Sequence, residues 1–90
     1  MEMIVFAAVY FYKKDSKYPK IFTGKRHANI FEDMYNKYID YDKSTHVQGF
    51  LTSYYRFVDR YEAKRIAVAA NQLIVPEEET YAELFSEDVW

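Results

Sequence analysis

Two stretches of the chain carry residue types that hold anions or flat rings. Thr23-Gly24-Lys25-Arg26-His27 sets a glycine, two cations and an imidazole where a helix is expected to begin. A helix start leaves backbone N–H groups unpaired at the positive end of the helix dipole, so it favours a phosphate, and Arg26 can add a two-pronged contact. The spacing G-x-x-x-x-G-K-[ST] is absent, so no nucleoside triphosphatase is implied. The plainer reading is a helix cap, with His27 on the apolar stripe as a core residue.

The second stretch is Gln48-Gly49-Phe50-Leu51-Thr52-Ser53, with Arg56 across a turn and Arg60 one helical turn beyond. A glycine inside a strand weakens pairing and marks a bulge or the close approach of another group. Phe50 and Leu51 point to opposite faces, so one serves the core and the other is free to meet a base or a partner. Thr52 and Ser53 offer hydroxyls and Arg56 a guanidinium; the plainer alternative is a hairpin with a solvated arginine. Catalytic groups are few. His27 and His46 could act as general acid and base in phosphodiester cleavage beside Lys25 or Arg26. No acidic or histidine motif has metal-ligand spacing, so neither a metal nor another cofactor is expected.

These residues need elements to position them. Ile4 to Tyr12 is β-branched, aromatic and short, which predicts a strand. Alternation gives it one face of Val5, Ala7, Val9 and Phe11, suited to a helix layer, and another of Phe6, Ala8, Tyr10 and Tyr12. Lys20 to Thr23 is expected to be extended. A helix is predicted over about residues 25–39, with His27, Ile30 or Phe31, Met34 and Tyr38 on its apolar stripe. After a polar loop at 40–45, His46 to Thr52 and Arg56 to Val58 read as strands joined by a tight turn at Ser53-Tyr54-Tyr55. Asp59 with Glu62 has the spacing of a capping box, and Ala63, Ile66, Ala67 and Ala70 share one face of the helix that follows, which is predicted to end near Asn71. The fold class is therefore α+β: a small antiparallel sheet of about three strands, with two main helices packed on one face.

Ninety residues make one domain, 1–90, with the acidic segment 77–90 expected to pack against it. Half the chain is hydrophobic and a fifth aromatic, with ten Tyr and seven Phe, which excludes disorder. The net charge of -2 argues against duplex nucleic acid as a partner. It hides a gradient: Lys13, Lys14, Lys17, Lys20, Lys25 and Arg26 cluster early, and Glu77, Glu78, Glu79, Glu83, Glu87 and Asp88 late. Those runs are either two solvated faces or an anion site and an acidic face that pairs with it. With no cysteine, no signal-peptide pattern at the start, and an apolar run from Ile4 to Phe11 far below the ~20 residues of a membrane-spanning helix, a cytoplasmic protein without a membrane partner is expected.

In order, Gly24-Lys25-Arg26-His27, Gln48-Gly49-Phe50-Leu51-Thr52-Ser53, Arg56-Phe57-Val58-Asp59-Arg60, Glu62-Ala63, Ile66-Ala67, Gln72 and Leu84-Phe85-Ser86-Glu87-Asp88 form a set that resembles a widespread group of small phage proteins. It is similar to the phage anti-CBASS sponges, which sequester cyclic dinucleotides such as 3′,3′-cGAMP. The resemblance spans about residues 24–90 and leaves the first strand outside. The familiar pattern has glycine in place of Tyr55, and alanine-glycine-glutamine in place of Ala70-Asn71-Gln72.

The resemblance implies a non-enzymatic, oligomeric protein that removes a host immune signal in the infected cell. The residue types suit such a ligand, whose two bases and two phosphates need stacking surfaces and a few cations but no overall basic charge. Lys25, Arg26, Arg56 and Arg60 are then expected at phosphates, beside His27. Phe50 with Tyr54 or Tyr55 would stack on bases, and Gln48 and Thr52 would bond base edges. A small phosphodiesterase or ribonuclease and a protein-binding inhibitor are the alternatives. The Phe6, Ala8, Tyr10, Tyr12 face finds no cover within one chain, which predicts a homo-oligomer, a dimer or tetramer.

Overall fold

A computed structural model describes residues 1–37, 39–41 and 46–90. Tyr38, expected on the first helix's apolar stripe, and residues 42–45 of the expected polar loop lie outside the described residues. Strand β1, Ile4–Tyr12, is central. It pairs antiparallel with β2, Pro19–Gly24, on one side and with β3, Val47–Thr52, on the other, and β4, Phe57–Asp59, completes the order β2-β1-β3-β4. The extended segment expected at Lys20 to Thr23 is thus a full edge strand.

Helices α1, His27–Asn36, and α2, Arg60–Ala69, lie on one face of this sheet. Ile30 and Met34 from α1 and Ala63 and Ala67 from α2 meet Ala7, Val9, Phe11, Phe50 and Val58. The two alanines let α2 sit close to the sheet, and α2 begins where the Asp59 carboxylate accepts the Glu62 N–H at 2.8 Å. Its end is marked by Asn71 in the left-handed region, φ 55°. α1 starts later than its pattern predicts, because Arg26 stays extended and turns its side chain to the C-terminal segment.

One expectation fails in β1. Ile4 pairs with Thr52 and Phe6 with Leu51, so β1 holds one extra residue against β3. This bulge shifts the alternation: Ile4 joins the core and Val5 is exposed, where simple period-two reading put Val5 inside. The Gln72 side chain secures the displaced strand end, accepting the Ile4 N–H at 2.7 Å and donating to the Ile4 carbonyl at 2.9 Å.

The β3–β4 turn is closed by Tyr55 N–H to the Thr52 carbonyl and Thr52 N–H to the Arg56 carbonyl, both 2.9 Å. Tyr55 takes φ 61°, a conformation that costs a side-chain-bearing residue roughly 1–2 kcal/mol and glycine almost nothing. The ring is 89% exposed and gains little there. Tyr55→Gly is expected to raise stability by about 1 kcal/mol and the melting temperature by about 4–8 °C, read by thermal unfolding. Tyr55→Val should lower both.

Candidate functional site

β4 stops at Asp59, opposite Gly49, so the start of β3 at Val47 and Gln48 runs on past its neighbour. The gap is bordered by the first turn of α2 and by the segment around Glu83 to Phe85. A groove of about 540 Å³ lies here, lined by His46, Val47, Gln48, Asp59, Arg60, Tyr61, Glu83 and Phe85. Arg60 is its organising residue. Its guanidinium lies over the Phe85 ring at 4.8 Å, donates to the Gln48 amide oxygen at 2.7 Å and donates to the Leu84 carbonyl at 2.7 Å. Burial pulls its pKa down, and Glu83, Glu87 and Asp88 oppose that, so it remains a cation held in one orientation.

Of the residues singled out in the sequence, the groove unites Gln48 and Arg60. His46, the second histidine of the phosphodiesterase alternative, lines it too. Tyr61, Phe85 and Glu83 were not anticipated. Their signal was present only in part, since Tyr61 follows Arg60 directly while Phe85 and Glu83 come from a segment with no periodic pattern to fix its path.

The other expected site residues lie elsewhere. Thr52, Tyr54, Tyr55 and Arg56 sit at the opposite end of β3, about 15–20 Å away for a strand of this length. There Arg56 donates from Nε and Nη2 to both carboxylate oxygens of Glu2 at 2.8 Å, and to Glu62 at 2.9 Å. The Thr52 hydroxyl also donates to Glu2, at 2.6 Å. These contacts hold the Glu2 carboxyl down at about 2 and raise the Arg56 pKa. Arg56 and Thr52 are therefore parts of an intramolecular ion pair, which no motif near Met1 foretold. Tyr54 and Tyr55 remain exposed at the turn.

Phe50 corrects a second expectation. It is fully buried, with the His27 ring edge-on at 5.1 Å and Trp90 at 6.3 Å, so neither ring face can stack on a base. His27 is buried as well, its Nε2–H donating to the Gly49 carbonyl at 2.8 Å. That is the core role the apolar stripe allowed, and it removes His27 from an acid–base pair with His46. Arg26 donates to the Trp90 carbonyl at 2.8 Å and pairs with Glu87 at 3.4 Å, so the side chain expected at a phosphate is engaged by the acidic segment. Lys25 is exposed.

Burial lowers the His27 pKa, more than the Gly49 and Ala8 carbonyls and Glu87 raise it; Arg60 adds to the lowering. Below the ordinary value of 6.5 the unfolded chain then binds a proton that the folded chain resists. Stability is expected to be flat with respect to this group above pH 6.5 and to fall as the pH drops through the window below it. Melting curves from pH 8 to 5, compared with those of His27→Gln, check this; the variant should lack that limb.

The model of the family described as phage T4 y16D protein matches residues 3–90. The chain belongs to that family. The match to the T4 y16D model includes β1, which the ordered motifs left outside. No curated protein and no solved structure matches the chain. The family's description marks a phage protein, and among the described residues no helix is long and apolar enough to cross a membrane.

Proposed function

We propose that this phage protein works by binding, and that it sequesters a nucleotide of the cyclic dinucleotide class in the cytoplasm of the infected cell, with one base in the groove beside Arg60. The observation that carries the reading is the oriented guanidinium of Arg60 between Phe85 and Gln48 in an open groove. Tyr61 and Phe85 are aromatic surfaces at its border, 53% and 36% exposed, and stacking contributes ~1–3 kcal/mol per base. Arg60 can donate to the acceptor edge of a guanine, and the Asp59 and Glu83 carboxylates can accept from its amino and ring N–H groups. Two carboxylates near one guanidinium suit a base edge better than a phosphate, which moves the recognition from phosphates, where the motifs placed it, toward the base. The ligand class comes from the resemblance of the ordered motifs to the anti-CBASS sponges.

Calorimetry with cyclic di- and trinucleotides and cyclic ADP-ribose isomers tests this. A cyclic dinucleotide is expected to bind with Kd below ~10 μM, and heating the complex should release it intact. No binding in that range overturns the reading, and recovery of cleaved nucleotide replaces it with an enzyme.

A further inference from the structure

The helices and the C-terminal segment cover one face of the sheet, and among the described residues none packs over the other. On that open face the register sets Ile21, Tyr10 and Val47 in one row across the strands and Phe6, Leu51 and Phe57 in another. Phe6, Ile21 and Val47 are 44%, 44% and 42% exposed, and the remaining three are half-buried. Between the rows lie Ala8 and Gly49, crossed by the Phe57 ring, which reaches Tyr10 at 5.6 Å between centroids. Contiguous apolar patches of this kind often mark contact surfaces.

We propose that the occupant is a second copy of the chain, packed face to face about a twofold axis. Two features of the face favour a copy of itself. The first is charge. A twofold axis sets each residue near it against its own counterpart, so a cation or carboxylate there would meet its like; the rows hold none, and Asp59 stands only at the margin. The neighbouring cation Lys20 pairs with Phe11 and so belongs to the covered side. The second is area. Strands of nine, six, six and three residues, rising about 3.3 Å per residue and lying about 4.8 Å apart, give a footprint of about 380 Å². The relief of six large side chains adds to this, so each copy offers an area in the range of the smaller, micromolar class of specific interfaces.

Val47 and Asp59 belong to this face and also line the groove, so the second copy would border the groove mouth. The dimer nevertheless stands on the sheet face alone and does not depend on a nucleotide in the groove.

Sedimentation equilibrium of the full chain between about 1 and 100 μM tests the proposal. Twice the chain mass is expected, with a dissociation constant below ~10 μM. The double substitution I21K/V47K, flanking Tyr10, should weaken association at least 100-fold with an unchanged circular dichroism spectrum, whereas V68K on the exposed side of α2 should leave it intact. A monomer throughout the range overturns the proposal. So does a dimer indifferent to I21K/V47K, or a wild-type chain that stays monomeric and instead forms a stoichiometric complex with a different protein. If the double variant does not fold, hydroxyl-radical oxidation of Phe6 in the wild-type chain carries the test: protection must grow with concentration, and constant reactivity overturns it.

Discussion

Gly49→Ala is expected to destabilise the fold by about 3 kcal/mol, a large fraction of what a domain of this size has. A β-carbon at this position would lie 2.1 Å from the Val58 carbonyl oxygen and 2.7 Å from the Phe57 ring. The first contact is with backbone, which no rotamer change can relieve, so β4 would have to move away from β3. That motion strains the Phe50–Val58 pairing and shifts Asp59, the N-cap of α2. The second contact would drive Phe57 off Tyr10 and uncover more of the open face. With a urea dependence near 1 kcal/mol per molar for a chain this short, the unfolding midpoint should fall by about 3 M. Gly24→Ala is the matched control. There the one tight contact of the new carbon would be with the Ile30 side chain, at 3.0 Å, which can shift by a few tenths of an ångström, while the Arg26 carbonyl oxygen at 3.8 Å is an ordinary contact, so the loss should stay below about 1 kcal/mol. A Gly49 variant as stable as the Gly24 variant would contradict this account.

Gly49 also shows what could be read from the sequence. A glycine inside a strand announced a close approach, and the structure supplies the approaching group, the aromatic ring of the next strand laid over the gap. The helices, their apolar stripes, the Asp59 cap and the Asn71 terminus were legible because each rests on neighbours within four residues. The bulge at Val5 was not, since an extra residue in one strand is defined only by its partner. The site was less legible than the fold for the same reason. Arg26, Arg56 and Arg60 look alike in the sequence, each a cation beside a turn or a helix start. Their different roles are set by Glu87, Glu2 and Leu84, residues 24 to 61 positions distant. Phe50 and Leu51 were correctly assigned to opposite faces, but the choice between them needed the tail: Trp90 covers the Phe50 side, so Leu51 belongs to the open face.

Arg60→Ala is expected to weaken nucleotide binding at least 100-fold, about 2.7 kcal/mol, in line with the loss of a charge-assisted contact together with the surface that orders Phe85. Arg60→Lys keeps the charge but not the planar fork, so one ammonium would have to serve Gln48, the Leu84 carbonyl and the ligand from a single point; a loss of about 10-fold is expected. Both variants also release the tie to Leu84, so thermal unfolding must accompany the calorimetry, with affinities compared only where each variant is folded. Arg56→Ala separates the groove from the hairpin. It breaks the contacts to Glu2 and Glu62 and should lower stability while leaving affinity within about twofold, because its guanidinium lies at the far end of β3. If Arg56→Ala abolished binding and Arg60→Ala spared it, the ligand would lie at the hairpin, where it would have to displace Glu2 from Arg56. Affinity should then rise as the pH falls toward 2, the value to which that ion pair holds the Glu2 carboxyl, for as long as the fold survives. Binding in the groove depends on no such displacement, so the acid end of the pH profile distinguishes the two sites without a substitution.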